Sequence, residues 1–210
     1  LKDRNHLVRL HFTVSPEHEP QIRQCLNLFQ MRYHARKISF DITYSFQKSS
    51  TDTIALDGNG EPLRDEQGQL VFRPGGHGAL LENLQALNAD AVFIKNIDNI
   101  APDSFKEEVV LHQKILGGYL MRLRERIFSF LNQLDKDALP PQFWNELEDF
   151  CANELMIPWN KAIAPSEKKQ YFHRLLNRPI RVCGMVPSGG EPGGGPFWVK
   201  DSHGGVSLQI

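Results

Sequence analysis

The sequence predicts an α/β fold of three layers built on a mixed, mostly parallel sheet. Segments of alternating polar and apolar residues are separated by segments with apolar residues at helical spacing, in the order strand, helix, strand, helix, strand. The run Ala91–Ile94 has no polar interruption, which is typical of a strand buried on both faces. A long helical pattern near residues 103–178 is interpreted as a helical insertion within one domain over residues 1–210.

The first elements come from alternation and turn residues. Leu7–Val14 and Ile38–Phe46 alternate and predict strands, and Pro20–Arg36 between them has the spacing of an amphipathic helix. Asp57-Gly58-Asn59-Gly60 predicts a turn, and Leu70–Phe72 predicts a short strand behind it. Together they predict a hairpin-like excursion that leads into a glycine-rich turn.

A short helix at Ala79–Leu87 with a leucine stripe follows the glycine-rich turn. Further on, apolar residues keep one helical face from Phe105 to Leu134, with Gly117-Gly118 as a candidate kink. Two shorter helices are predicted near Pro141–Glu154 and Ser166–Asn177.

The last segment returns to strands. Ile180–Val186 predicts a strand, and the glycine-dense Ser188–Pro196 predicts a loop. Phe197–Lys200 and Val206–Ile210 predict two strands around a turn.

Composition excludes several classes of function. The net charge of −1 gives no global field that favours nucleic acid or an anionic membrane. No apolar run approaches the ~20 residues of a membrane helix, and the charged, alternating first ten residues do not form a signal peptide. Three widely spaced cysteines argue against a disulfide framework and favour a reducing, cytoplasmic compartment.

Both ends of the chain favour a fragment of a longer protein. Residue 1 is Leu rather than Met, and Ile210 falls inside a predicted strand. We therefore expect further sequence on either side.

The glycine turn Gly75-Gly76-His77-Gly78 is the first candidate binding element. Glycines let the backbone approach a ligand closely, and the N–H groups that open the following helix favour an anion. His77 could donate a hydrogen bond to a phosphate or a sugar. The alternative is an ordinary strand-to-helix turn, because the segment is neither a dinucleotide-binding fingerprint nor a Walker A loop.

Asn96 and Asp98 form the second candidate element. They come just after the predicted strand Ala91–Ile94, at the edge of an open sheet where ligands bind. An Asp there could hold Mg²⁺, which takes one or two carboxylates and completes its shell with phosphate oxygens and water. The alternative is a turn in which both side chains bond their own backbone.

These two elements carry a resemblance to a known family. PGGHG, a leucine-rich helix and an apolar strand ending in NIDN resemble the core of the UTP-dependent sugar pyrophosphorylases. These UDP-glucose and UDP-N-acetylhexosamine enzymes have the nucleotide-diphospho-sugar transferase fold. Ser45-Phe46-Gln47 approximately matches the Phe-x-Gln that ends a strand in that family, and the likeness covers about residues 46–99.

Most of the chain also resembles a bacterial family of domains of unknown function, family 4301. The segments that carry this second resemblance are RPGGHGALLENL, FIKNIDN and RPIRVCGMV followed by GEPGGGPFWV. No activity follows from it.

The pyrophosphorylase resemblance implies a role for each matching residue. Gln47 would face the uracil ring, and Gly76, with Gly75 and Gly78 beside it, would pack its backbone against the nucleotide. His77 would contact the sugar phosphate. The remaining two matches are Asn96, which would touch the sugar or ribose, and Asp98, which would bind Mg²⁺.

Three functions remain open at this point. The first is a UTP:sugar-1-phosphate uridylyltransferase type of domain, inactive as a fragment because the family's glycine-rich loop and its lysine are absent from these 210 residues. The second is a non-catalytic domain that binds a nucleotide sugar or a sugar phosphate. The third is a hydrolase of a phosphorylated sugar in which Asp98 holds the metal.

Overall fold

The computed structural model describes residues 6–34, 37–96, 100–157, 159, 162–185, 189–190, 195–200 and 206–209. These residues form a mixed α/β structure with five α-helices and three two-stranded sheets, of which one is parallel and two are antiparallel. The chain divides into two compact units, Leu1–Val92 and Phe93–Ile210.

The first unit begins with a strand–helix–strand crossover. Strand β1 (Leu7–Thr13) and strand β2 (Ser39–Ser45) are parallel, and helix α1 (Glu19–His34) connects them. At the carboxyl ends of the two strands Thr13 lies opposite Ser45. A parallel pair needs such a crossover, and the prediction of all three elements is confirmed.

An aromatic cluster holds α1 against β2. The ring centroids of Phe29 and Tyr33, one turn apart on the helix, lie 5.4 and 5.9 Å from that of Phe40 on the strand. Both helix rings meet Phe40 edge to face, the arrangement that the aromatic quadrupole favours. The spacing of the apolar residues on α1 therefore decides which side of the helix contacts the strand.

The chain between β2 and the glycine turn makes two similar turns. Asp57 and Asp65 each accept hydrogen bonds through Oδ1 from the backbone N–H groups two and four residues further on, at 2.8–2.9 Å. Each turn includes a glycine with positive φ, Gly60 at 86° and Gly68 at 78°. These hydrogen bonds lower the pKa of the Asp57 carboxyl, and the bond from the N–H of Glu61 contributes most. The predicted turn is thus confirmed, and the second has the same hydrogen bonds.

Three backbone hydrogen bonds close this excursion into a ring. The N–H of Ala55 donates to the carbonyl of Val71 (2.9 Å), that of Val71 to Leu63 (2.9 Å), and that of Leu63 back to Ala55 (2.8 Å). Two short antiparallel strands, β3 (Thr53–Ile54) and β4 (Phe72–Arg73), seal its base. The excursion therefore returns the chain to the point where it left β2.

After the glycine turn, a 3₁₀ turn (His77–Leu80) leads into helix α2 (Leu81–Gln85). The second unit is mainly helical, with α3 (Lys106–Leu134), α4 (Pro141–Asp149) and α5 (Pro165–Leu176). Proline opens both α4 and α5, where its missing N–H costs no hydrogen bond. The predicted long helix and the two shorter ones are confirmed.

The core of the second unit lies between these three helices and the π-helical turn Phe150–Glu154. Its buried residues are Leu123, Ile127, Phe130, Leu134, Phe143, Leu147, Phe150, Cys151, Phe172 and Leu176. Only the carboxyl half of the predicted stripe on α3 is buried, since Phe105 at its start is exposed. The hydrophobic stabilisation of this unit is concentrated where α3 meets α4 and α5.

The amino half of α3 instead meets two segments that belong to neither a helix nor a strand. A Cβ added to Gly117 would lie 2.6 Å from Cζ of Phe93. A Cβ added to Gly184 would lie 3.5 Å from Cδ1 of Leu116. The α-helix continues without interruption through Gly117-Gly118. Gly117 is therefore a contact position for an aromatic ring, where the sequence suggested a kink.

Two predicted strands are not formed among the described residues. Ala91–Ile94 and residues 180–185 have no strand assignment, and Ile94 is 74% exposed. An apolar run alone does not specify a strand, because its ladder partners are set by tertiary contacts. The antiparallel pair at the end of the chain, β5 (Phe197–Lys200) with β6 (Val206–Gln209), is formed as predicted.

Alanine substitutions at the two adjacent glycines of α3 should differ in their effect on stability. Each gains up to ~1 kcal/mol of helix propensity, and nothing lies within 4 Å of a Cβ at Gly118. At Gly117 the new methyl displaces the Phe93 ring, so we expect Gly117→Ala to be less stable than Gly118→Ala by about 1–2 kcal/mol. Urea unfolding measures the difference, which should vanish in a Phe93→Ala background. An equal difference in that background would contradict the assigned contact.

The buried thiol of Cys151 should be inert in the folded protein. Burial raises its pKa from 9.0 to about 12, whereas Cys25 and Cys183 are exposed. We expect a disulfide reagent at neutral pH to modify the exposed pair rapidly and Cys151 only after unfolding in urea. The folded pKa is the higher one, so the stability contributed by the neutral thiol is complete below about pH 9 and is lost towards about pH 12. Equal labelling rates for all three thiols would contradict the burial.

Candidate functional site

The end of β2 and the glycine turn are brought together by the β3–β4 pair. Thr53 lies opposite Arg73 in that pair. The 3₁₀ turn Ser49–Thr51 precedes β3, and Gly75 comes two residues after the end of β4. Two segments more than twenty residues apart in the sequence therefore meet beside Gln47.

Gly75 is the point of closest approach. A Cβ on Gly75 would lie 2.9 Å from the carbonyl oxygen of Thr51, 3.2 Å from Cβ of Ala79 and 3.7 Å from Nε2 of Gln47. The first of these atoms belongs to the backbone and cannot turn aside. A residue without a side chain is required here because the two backbones touch.

Gly76 and Gly78 have different surroundings. Nothing lies within 4 Å of a Cβ at either position. Gly76 has extended backbone, with φ −72° and ψ −174°, which any residue can adopt. Glycine is not needed at position 76 for its conformation, so the open space above its Cα is the feature that would let a ligand approach.

The Gln47 side chain is held at the strand end. Its Nε2 donates to Oδ1 of Asp52 at 3.1 Å, and Gln47 is partly buried. An amide has two donor hydrogens and a carbonyl acceptor. The bond to Asp52 thus orients the amide and leaves capacity for a second polar partner.

His77 is exposed and opens the 3₁₀ turn. The first N–H groups of a helix have no partner within it. Helix α2 has five residues and the preceding 3₁₀ turn has four, so their summed dipole is small. Attraction of an anion would therefore depend on individual N–H groups and on His77, both of which the sequence indicated. It would not depend on the dipole of a long helix.

Asn83 on α2 ties the far side of the turn to β2. Its Nδ2 donates to Oγ of Ser45 at 2.8 Å and to the carbonyl oxygen of Phe46 at 2.7 Å. The residue is 6% exposed, and its Oδ1 is buried without a hydrogen-bond partner. Among the described residues, Asn83 is the polar residue whose side chain is buried.

The Ser45 hydroxyl extends this contact into β1. His11 bonds Ser45 Oγ through Nε2 (2.8 Å) and Thr43 Oγ1 through Nδ1 (2.7 Å), and Thr13 Oγ1 lies 3.2 Å from Ser45 Oγ. Sequence reasoning missed this network and Asn83. The available signal was the polar residues on neighbouring strand ends together with one Asn among the leucines of α2.

An ion pair also crosses the site. Lys48 Nζ lies 3.0 Å from Oε2 of Glu82, with 55% and 46% of the two side chains exposed. Such pairs contribute little to stability because water and salt screen them. Lys48 nevertheless places a cation directly after Gln47.

The two remaining predicted residues are not tested by these contacts. Asn96 is exposed and belongs to the second unit, in a segment without strand assignment. Asp98 lies outside the described residues. The structure thus brings together Gln47 and the glycine turn of the predicted set.

Two absences concern the described part of the chain. No group of three or more His, Cys, Asp or Glu side chains there could hold a metal ion. None of the described helices is both long enough and apolar enough to cross a bilayer.

The chain belongs to the family described as domain of unknown function (DUF4301), whose family model matches residues 1–210. No curated protein matches the chain, and no solved structure matches it. The resemblance to a family of domains of unknown function is confirmed, and the likeness to sugar pyrophosphorylases stays a prediction.

Alanine at position 75 should destabilise the protein much more than alanine at position 76. Gly75→Ala forces the new methyl against the Thr51 carbonyl, and we expect a loss of about 1–3 kcal/mol in the free energy of unfolding. Gly76→Ala meets open space and should change it by less than about 0.5 kcal/mol. Urea unfolding of the two variants measures this contrast. Equal losses at both positions would mean that the turn does not pack as described.

Proposed function

We propose that this domain binds a uridine nucleotide and a sugar phosphate with Mg²⁺, as a nucleotidyltransferase-like domain of the UTP:sugar-1-phosphate uridylyltransferase type. The proposal includes the nucleotide-diphospho-sugar transferase fold, with its three layers and mostly parallel sheet, and residues 103–178 as a helical insertion. The reaction would be attack by the sugar phosphate oxygen on the α-phosphorus of UTP, with pyrophosphate as the leaving group. A protein accelerates such a reaction mainly by positioning the reactants and neutralising charge.

One observation carries the proposal. Gln47 and the glycine turn, which the resemblance assigns to one nucleotide site, lie side by side at Gly75, where an added Cβ would lie 3.7 Å from the Gln47 amide nitrogen. Gly76 beside it has open space above its Cα. This geometry supports a uracil ring at Gln47 with the nucleotide packed against the backbone of Gly76.

The other roles follow the resemblance. His77 would contact the sugar phosphate and Asn96 the sugar or ribose, while Asp98 would hold Mg²⁺. A single carboxylate suits Mg²⁺ when phosphate oxygens and water complete its shell.

The second candidate is a non-catalytic domain that binds a nucleotide sugar or a sugar phosphate. The observation that favours it is the Lys48–Glu82 pair, since a cation already neutralised by a carboxylate is less suited to grip a triphosphate. The glycine-rich loop of the sugar pyrophosphorylases, with its lysine, is also absent from the 210 residues. We therefore expect these residues alone to bind nucleotide without turnover.

The proposal is tested by binding and turnover together. The 210-residue chain should bind Mg²⁺–UTP in calorimetry, and the complete natural protein should release pyrophosphate from UTP with one of a panel of sugar 1-phosphates. Gly76→Val fills the open space and should weaken UTP binding roughly tenfold or more without loss of stability. Asp98→Asn should abolish the part of the affinity that depends on Mg²⁺.

The outcomes separate the candidates. Binding without pyrophosphate release by the complete protein supports the non-catalytic domain, and release of inorganic phosphate from a sugar phosphate indicates a hydrolase. Absence of UTP binding by wild type, or equal affinity of Gly76→Val, would rule out the proposed site. Gly75→Ala is unsuitable as a binding variant because its effect on folding would obscure the result.

A further inference from the structure

Asn83 is an unusual residue at its position. It lies on the one-and-a-half-turn helix α2 among leucines, and it is 94% buried, being 6% exposed. A buried polar side chain costs stability unless its hydrogen bonds are made. What Asn83 bonds to therefore indicates what it does.

The orientation of the amide is determined by the Phe46 carbonyl, which can only accept. Both hydrogens of Nδ2 are consequently used, one on Phe46 and one on Oγ of Ser45. The Asn83 Oδ1 atom is left buried without a partner. An apolar residue would avoid that cost, so the contribution of Asn83 lies in the two bonds that it donates.

We propose that Asn83 is a positioning residue of the nucleotide site: it fastens α2, and with it the turn Gly75–Gly78, to the last residue of β2 and the residue that follows it. This inference rests on the proposed function. The two acceptors are the two residues that immediately precede Gln47. Asn83 therefore sets the distance between the amide proposed to face uracil and the backbone proposed to face the nucleotide.

The contact of Gly75 with Thr51 holds the glycine turn at its start only, so the turn needs a second attachment at its end. Gly75 is packed against Thr51 before the open glycines, whereas Asn83 is bonded after them. With both attachments Gly76 and Gly78 are held between fixed ends and yet are uncovered. The Lys48–Glu82 pair is exposed and cannot replace the buried bonds.

The Ser45 hydroxyl makes one of the two bonds depend on β1. His11 and Thr13 both lie within hydrogen-bond distance of Ser45 Oγ, so the hydroxyl has several partners. The carbonyl of Phe46 has no such dependence, because it is a backbone group. Loss of Ser45 should therefore have a smaller effect on the turn than loss of Asn83.

The test uses the 210-residue chain with Mg²⁺–UTP as the probe, together with hydrogen exchange of the backbone amides. Asn83→Ala should weaken UTP binding roughly tenfold, since two buried bonds are lost. Ser45→Ala should weaken it less. Asn88→Ala, at an exposed asparagine five residues after Asn83, is the matched control and should bind as wild type. Amides of residues 76–80 should exchange faster in Asn83→Ala, with those of α3 unchanged.

A further variant distinguishes positioning from general destabilisation. Asn83→Asp keeps the shape but cannot donate when ionised. Once protonated, it can donate to Phe46, so its affinity relative to wild type should recover as pH falls from about 8 to about 5.5. The titratable groups near this part of the fold are Glu82 on α2, Lys48 and Asp52 after β2, and His11 on β1. They are present in both proteins, but they act on the new carboxyl only in the variant, where they move the pH at which the affinity recovers without removing the recovery.

The two proposals fail in different ways. If wild type does not bind UTP but exchange at residues 76–80 rises in Asn83→Ala, the function is wrong and the positioning role stands. If wild type binds UTP and Asn83→Ala binds equally well with unchanged exchange, the positioning role is wrong. Should Asn83→Ala not fold, Ser45→Ala and Asn83→Asp decide: a ratio for Asn83→Asp that does not change with pH, with unaltered binding by Ser45→Ala, overturns the inference.

Discussion

The contact between Gly75 and the Thr51 carbonyl is the constraint on which the first unit depends. Two stretches of backbone approach so closely that no side chain fits between them. Two features between these residues make the approach possible. The ring of hydrogen bonds through Ala55 and the β3–β4 pair return the chain to the vicinity of the end of β2. Steric exclusion at one atom thereby determines where the glycine turn lies relative to Gln47.

The second unit is organised by a different constraint, the change of surroundings along α3. From Leu123 onward the helix buries an apolar face against α4 and α5, and Phe150 and Phe172 fill the space between them. Its amino half has no helical partner of that kind among the described residues and instead accepts the Phe93 ring at Gly117. One continuous helix thus has a tightly packed half and a sparsely packed half. Local opening requires least free energy where few apolar contacts are made.

The sequence predicted the local elements well and their partners poorly. Alternation identified β1 and β2 and helical spacing identified α1 and α3, because each pattern reflects a local period. The same method expected a strand at Ala91–Ile94, which is not formed, since apolar character does not specify a ladder partner. Partnership depends on contacts between residues that are distant in sequence.

The candidate site shows the same division. The glycine turn and Gln47 were found from motifs, whereas Asn83 has no motif and is recognised only from its burial and its bonds to Ser45 and Phe46. Asp52 was missed for the same reason, since only the fold brings it to Gln47. Residues that position a site are harder to predict than residues that line it, because their partners are set by tertiary structure.

The charges around Gln47 bear on which part of a nucleotide would lie there. The carboxyl group of Asp52 is 3.1 Å from the Gln47 amide nitrogen. A carboxylate beside the proposed base position disfavours a phosphate there and tolerates a neutral base. The cation beside it, Lys48, is paired with Glu82. A triphosphate would therefore extend away from Gln47 towards the open backbone at Gly76 and would need a metal ion to neutralise it. The proposed arrangement, with the base at the strand end and the phosphates beyond the glycine turn, is the one that these charges favour.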